Sequence, residues 1–160
     1  MLIRTATTDD LQQIITVESK CFPASEAASE KSLADRLEHY ADHFWLMFDD
    51  HRLIAFVDGM VTNQPDLKDE MYDDASMHDE NGDWQMIFGV NTIPEYRKKG
   101  YAGELIKHAI EDARVQGRKG LVLTCKERLI SYYSRFGFVS EGISESMHGN
   151  VVWYQMRLTL

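Results

Sequence analysis

The sequence has few cysteines and no long apolar run. Only two of its 160 residues are cysteines, Cys21 and Cys125, and they stand far apart along the chain. This excludes a disulfide-rich scaffold, and we expect both thiols to be free in a reducing compartment. No apolar run approaches the ~20 residues that a membrane-spanning helix needs, and the first residues lack the apolar stretch of a signal peptide. We therefore expect a cytoplasmic protein with no membrane partner.

Positive charge is also scarce, because 17 lysines and arginines stand against 26 aspartates and glutamates, for a net charge of −9. Nucleic-acid binding needs a basic face, so this balance argues against a nucleic-acid partner. The charges are unevenly distributed, with basic residues concentrated in 97–119 and acidic residues crowded into 66–83. An anionic and a cationic ligand can therefore be attracted to different parts of one molecule. The alternative for the acidic segment is a solvated surface loop.

The composition is that of a globular domain, with 44% hydrophobic and 27% charged residues. A chain of this length can bury a sizeable core, and we interpret residues 1–160 as a single domain. Short strand-like and helix-like patterns alternate and predict the mixed α/β order β-α-α-β-β-loop-β-α-β-α-β-β. The loop is the polar segment 63–83, which lacks periodicity and has room for one helical turn.

A strand, a basic turn and a helix follow one another between Trp84 and Ala113. Pro94 ends the strand, which is predicted over 84–93. The helix then repeats apolar residues at the spacing of one buried face. Its first turn offers unpaired N–H groups and the positive end of the helix dipole, and Gly100 and Ala102 leave that backbone accessible. The pattern predicts a pyrophosphate site; helix capping without a ligand is the alternative.

The motif Arg97-x-x-Gly100-x-Ala102 resembles the (R/Q)-x-x-G-x-(G/A) signature of the Gcn5-related N-acetyltransferase (GNAT) superfamily, and the order of elements resembles it over almost the whole chain. The resemblance implies an acyl-CoA N-acyltransferase fold, in which a twisted, mainly antiparallel sheet is flanked by helices and split near its centre. It also implies acetyl-CoA as cosubstrate and no metal. The residues that it places against the cofactor are Val90, Thr92, Arg97, Lys98, Lys99, Gly100, Tyr101, Ala102 and Gly103.

Within the superfamily, the chain is most similar to arylalkylamine (serotonin) N-acetyltransferase and its bacterial relatives. The segments 21–23, 51–56 and 123–138 carry that similarity. It implies that Tyr133 donates its hydroxyl proton, or a hydrogen bond, to the departing thiolate. It further implies an amine pocket with Phe22 and Pro23 in one wall, to which Met86, Phe88 and Trp153 can add apolar walls. Ordinary core packing is the alternative for each of these side chains.

The strand 84–93 departs from those relatives at one point. The animal enzymes carry two histidines there that pass the amine's proton to solvent, whereas this chain has Met86 and Phe88, which accept no proton. Three routes stay open: a chain of waters, a carboxylate such as Glu18 or one within 66–83, or deprotonation of the amine before it binds. We favour the last. It predicts that kcat/KM rises with pH toward the amine's own pKa, without an inflection near about 6.5.

The sequence therefore predicts direct acetyl transfer from acetyl-CoA to a small aryl- or alkylamine, with no acyl-enzyme. Two alternatives stay open, a peptide or protein N-acetyltransferase and a non-catalytic acyl-CoA-binding regulatory domain. An open groove would favour a peptide, and a deep apolar pocket behind Phe22 and Phe88 would favour a small amine. His39 and His43 have a spacing that can hold a metal, but no third ligand is evident and we predict none. The oligomeric state is left open, with a homodimer among the alternatives.

Overall fold

A computed structural model describes residues 1–160 and contains nine strands and five α-helices. The strands are β1 (Leu2–Thr5), β2 (Phe44–Asp49), β3 (Arg52–Asp58), β4 (Val61–Thr62), β5 (Trp84–Ile87), β6 (Gly89–Thr92), β7 (Gly120–Cys125), β8 (Val139–Ile143) and β9 (Tyr154–Thr159). The helices are α1 (Leu11–Cys21), α2 (Glu30–Tyr40), α3 (Glu70–Asp73), α4 (Tyr101–Val115) and α5 (Ile130–Ser134). None of the helices combines the length and the apolar character needed to cross a bilayer.

The strands form two sheets. The first has the order β1-β2-β3-β6 and is antiparallel throughout. The second has the order β4-β5-β7-β9-β8 and is antiparallel except where β5 pairs with β7. No ladder joins β6 to β7, so a cleft opens where the sheets part. The predicted fold, a mixed α/β domain with a mainly antiparallel sheet that splits near its centre, is confirmed.

The split falls within the strand that the sequence predicts as continuous over 84–93. Phe88 separates β5 from β6, and its N–H donates to the carbonyl oxygen of Asp58 at 2.7 Å. At Gly59 the two chains approach so closely that a Cβ would lie 1.7 Å from the carbonyl oxygen of Met86. The single predicted strand is therefore corrected to two, one in each sheet. The apolar run continues across the break, so hydrophobic periodicity carries no sign of it.

Helices α1 and α4 pack against the first sheet, and α4 also contacts β7 of the second sheet. The capping box of Thr7 and Asp10 precedes α1, which ends before Pro23 as predicted. α4 buries Leu105 and Ala109 on its inner face. Because α4 contacts both sheets, its N-terminus is held at the mouth of the cleft.

The acidic segment is a long connection with one helical turn, as predicted, although the sequence did not reveal β4. Its Glu80 accepts hydrogen bonds from His43 at 2.9 Å and from Arg118 at 3.0 Å. Its Asp69 accepts from the Ser146 hydroxyl and, at 2.8 Å, from the Met147 N–H. These acids therefore stabilise the fold by holding neighbouring loops, which supports a structural role for at least part of the segment.

Candidate active site

Two cavities lie where the sheets part. The first, which we call the turn cavity, has a volume of about 720 Å³ and lies at the connection between β6 and α4. It brings together all but one of the residues predicted to contact the cofactor, the exception being Val90. Those that line it are Thr92, Arg97, Lys98, Lys99, Gly100, Tyr101, Ala102 and Gly103.

The backbone of the turn cavity suits an anion. Gly100 has φ +84° and precedes the first residue of α4, and Lys98 is also left-handed at φ +63°. The first backbone bond of the helix runs from Glu104 N–H to the Gly100 carbonyl, which leaves the N–H groups of 101–103 without a backbone acceptor. Arg97 is fixed by a 2.8 Å bond from its Nε to the Thr92 carbonyl. Free N–H groups, a helix N-terminus and basic side chains together form a diphosphate-binding arrangement.

The second cavity, which we call the aromatic cavity, encloses about 360 Å³. Its rings are Phe22, Tyr72, Phe88, Tyr133 and Trp153, and predicted residues Pro23 and Val90 line it as well. Phe88 packs on Tyr72 at 4.6 Å between ring centroids. A cavity of this size with several rings in its lining accommodates a small organic molecule with one aromatic ring.

Met86 is the one predicted pocket residue that the structure does not bring to the aromatic cavity. Its side chain is fully buried in the hydrophobic core, with an exposed fraction of 0%. The sequence placed Met86 and Phe88 in the same pocket because alternate residues of a continuous strand lie on one face. The break at Phe88 removes that equivalence, and only Phe88 reaches the cavity.

Tyr133 lies on α5, the short helix that follows β7. Its side chain is 7% exposed and lines the aromatic cavity, where its hydroxyl makes no hydrogen bond with the protein. Burial raises the pKa of Tyr133 above its ordinary value. The phenol therefore stays protonated at neutral pH and is free to donate to a ligand atom.

Glu18 is a site residue to which the sequence gave only a weak signal, a carboxylate on the apolar rows of α1. The structure buries it to 6% exposure against the aromatic cavity, where Oε2 accepts the Ala28 N–H at 2.9 Å. Burial raises the pKa of Glu18 to about 7, and the nearby charge of Asp58 adds to the rise. The Ala28 N–H, the Arg36 guanidinium and the Asn91 amide oppose it.

The raised pKa of Glu18 predicts a pH-dependent stability. The folded state binds this proton up to about pH 7 and the unfolded state only up to about 4.5, so stability falls as pH rises between them. Glu18→Gln is expected to remove that fall, which amounts to about 3 kcal/mol in the free energy of unfolding. Urea unfolding of both proteins at a series of pH values measures the difference. If the free energy of unfolding changed with pH in the same way in the wild type and in Glu18→Gln, the prediction would be wrong.

The segment 144–153 lies along one side of the aromatic cavity; the sequence suggested its Trp153 as a wall but did not identify His148. His148 Nε2 lies 2.7 Å from the Glu26 carbonyl oxygen, and Trp153 Nε1 donates to the His148 carbonyl at 2.7 Å. The His148 ring also stacks on Tyr72, with centroids 5.2 Å apart. These contacts tie the segment to the connection between α1 and α2.

The only cluster with metal-ligand residue types is His43, His78 and Glu80, whose ligand atoms lie within 4.8 Å of one another. The Val61 N–H donates to His78 Nδ1 at 3.0 Å, so the neutral ring carries its proton on Nε2 and donates it to Glu80 at 2.9 Å. Arg118 supplies a further donor to the same carboxylate. The cluster thus fits a set of charge-assisted hydrogen bonds better than a metal. His39 lies outside it and bonds to the Asp35 carbonyl.

Comparison with known proteins adds a family and a set of related folds. Residues 11–138 match the family model described as Acetyltransferase (GNAT) family. No curated protein matches the chain. The structure is similar to GphF, a GNAT-like decarboxylase solved with isobutyryl-CoA, with a TM-score of 0.86 and 17% identity over 99% of both chains.

Two further solved structures are N-acetyltransferases. The ribosomal-protein-S18-alanine N-acetyltransferase of Escherichia coli is 20% identical, with a TM-score of 0.74 over 99% of this chain and 92% of that one. The PaiA N-acetyltransferase of Thermoplasma acidophilum, solved with coenzyme A, is 17% identical, with a TM-score of 0.73 over 99% and 98%. At these identities the likeness establishes a shared fold, on which several reactions are built. The finer resemblance to arylalkylamine N-acetyltransferase stays a prediction.

Proposed function

The chain belongs to the GNAT acetyltransferase family, and from that membership we propose that it transfers the acetyl group of acetyl-CoA directly to a small aryl- or alkylamine. The observation that carries the proposal is that the two cavities lie next to each other along β6 and α5. Thr92 of β6 lines the turn cavity and Val90 lines the aromatic cavity, and the neighbours Tyr132 and Tyr133 are divided in the same way. A long cosubstrate can therefore hold its diphosphate in one cavity and its thioester in the other.

The unpaired edge of β6 supports the middle of the cosubstrate. β6 pairs with β3 on one side only, so backbone N–H and C=O groups on its other side face the cleft. The pantetheine arm contains amides and can pair with this edge as an added strand would. A backbone N–H near Val90 can then donate to the thioester oxygen as negative charge develops on it.

The transfer itself needs an acid for the leaving group. The amine's lone pair attacks the thioester carbon, the C–N bond forms, and the C–S bond breaks to release a thiolate. Tyr133 donates to that sulfur, because its hydroxyl has no competing partner in the protein and faces the same cavity. A buried hydroxyl that has no protein partner and faces the cavity favours an enzyme over the non-catalytic acyl-CoA-binding alternative.

We rank the peptide alternative second, because the aromatic cavity is a recess and not an open groove. The contacts of His148 with Glu26 and Tyr72 hold the segment 144–153 against one side of that cavity, where it limits the room for an extended peptide. What remains is an enclosure lined by Phe22 and Phe88, as a small aromatic amine requires.

We expect tryptamine and phenethylamine to show at least about 10-fold higher kcat/KM than polyamines or peptides, because a single aromatic ring buries more apolar surface against the rings of the aromatic cavity than a charged polyamine chain or a polar peptide backbone does. The measurement is the release of CoA thiol from acetyl-CoA with each amine, and mass spectrometry identifies the amide product. A preference for peptides would overturn the substrate class. Loss of acyl-CoA without dependence on any amine would overturn the transfer reaction.

A further inference from the structure

The aromatic cavity contains one buried acid that has no cationic partner. Glu26 pairs with Lys126 at 2.9 Å, and Asp73 is exposed to solvent. Glu18 forms no salt bridge, and only its Oε2 is engaged, by the Ala28 N–H. Its Oε1 makes no hydrogen bond with the protein and is not among the buried unpartnered atoms, so it is open to the cavity.

The surroundings of Glu18 hold its carboxylate through Oε2 and supply no ion pair to it. Arg36, the nearest guanidinium, is committed to Asp58 by a 3.0 Å ion pair in which both side chains are buried. The Asn91 side chain lies close enough to lower the pKa of Glu18, although neither of its polar atoms makes a hydrogen bond of good geometry. Cys21, on the same helix, is the remaining titratable neighbour. A carboxylate in this setting binds a proton readily, and Oε1 is the oxygen that is available to accept it.

We propose that Glu18 is the general base of the reaction, an inference that rests on the proposed acetyl transfer. As the amine nitrogen bonds to the thioester carbon, one N–H proton moves to Glu18 Oε1, which becomes a neutral carboxylic acid. The C–S electron pair leaves with the sulfur, which takes its proton or hydrogen bond from Tyr133. Exchange of protons with solvent then restores both residues. The chain thereby replaces the two missing strand histidines with a carboxylate from α1.

The raised pKa of Glu18 matches this role. At about 7 it leaves the carboxyl partly ionised at neutral pH and makes it a far better proton acceptor than an exposed glutamate. If this carboxyl is the base, kcat/KM rises with pH as Glu18 ionises, and the midpoint of the rise does not depend on the pKa of the amine. This differs from the sequence expectation, in which the amine loses its proton before it binds.

The test uses a weakly basic arylamine, which stays neutral from about pH 5 to about pH 9 and so removes the amine's own titration. We expect wild-type kcat/KM to rise through a midpoint near 7, and Glu18→Gln to lose this limb and about 10²-fold of kcat/KM at pH 8. Acetyl-CoA affinity by calorimetry should be unchanged. Glu26→Gln is the matched control, because it changes another acid of the same cavity and should retain the limb.

His148 is the rival base, since its Nδ1 can accept a proton while Nε2 donates to Glu26. A limb that survives Glu18→Gln and disappears in His148→Gln would overturn our assignment. The wild-type protein offers a second measurement that needs no variant to fold: side-chain carboxyl NMR should show one glutamate titrating near 7. If Glu18 titrates in the ordinary range, the proposal fails. If the wild type acetylates no amine, the proposed function and this proposal fail together.

Discussion

Gly100→Val is expected to lower acetyl-CoA affinity at least about 100-fold while the protein remains folded. The residue has φ +84° at the start of α4, a conformation that a β-branched side chain adopts only with strain. Relief of that strain would rotate the N–H groups of 101–103 away from the diphosphate. A Cβ at this position meets no protein atom within 4 Å, so any added side chain occupies the space left for the ligand. Calorimetry with acetyl-CoA measures the loss.

Gly117→Val is the matched control for this prediction. Gly117 has φ +77° just after the C-terminal end of the same helix and likewise has no protein atom within 4 Å of a Cβ. Its valine variant should therefore lose a similar amount of stability, about 1–2 kcal/mol, and bind acetyl-CoA as the wild type does. Wild-type affinity in both variants would show that the turn does not hold the diphosphate. Equal losses of affinity would assign the effect to strain alone.

The features of the fold that the sequence predicted correctly are those that depend on local patterns. The periodicity of α4, the stop at Pro94 and the glycine at position 100 each depend on a few neighbouring residues, and all three occupy the predicted places. The turn cavity was predictable for the same reason, because one short segment supplies nearly all of it. Such features follow from backbone geometry that any similar sequence would share.

Contacts between distant segments account for what the sequence did not predict. The break at Phe88 depends on the close approach of Gly59, and the placement of Met86 in the core follows from it. His148 reaches the cavity through a bond to Glu26, which lies far away in sequence. The raised pKa of Glu18 depends on burial by several elements together. The aromatic cavity is therefore a product of tertiary structure; the sequence identified Phe22, Pro23, Phe88 and Tyr133 among its lining residues but not Tyr72 or His148.

The roles of the two cavities can be separated by a change that affects chemistry and leaves binding intact. Tyr133→Phe is expected to lower kcat by about 10²-fold or more with little change in acetyl-CoA affinity. The variant keeps the ring contacts with Tyr132 and Phe138 and removes only the hydroxyl that donates to the departing sulfur. Single-turnover kinetics, which isolate the chemical step from product release, provide the measurement.

Tyr72→Phe is the companion variant, because it removes a hydroxyl from the same cavity that is already bonded to Thr124 at 3.2 Å. Its kcat should fall by less than about 10-fold, since that hydroxyl has a protein partner in place of the thiolate. Because burial raises the pKa of Tyr133, the wild-type rate should also show no descending limb up to about pH 9. An unchanged kcat in Tyr133→Phe, with chemistry rate-limiting, would leave Tyr133 as a packing residue of α5. The leaving thiolate would then have to draw its stabilisation from backbone N–H groups or water.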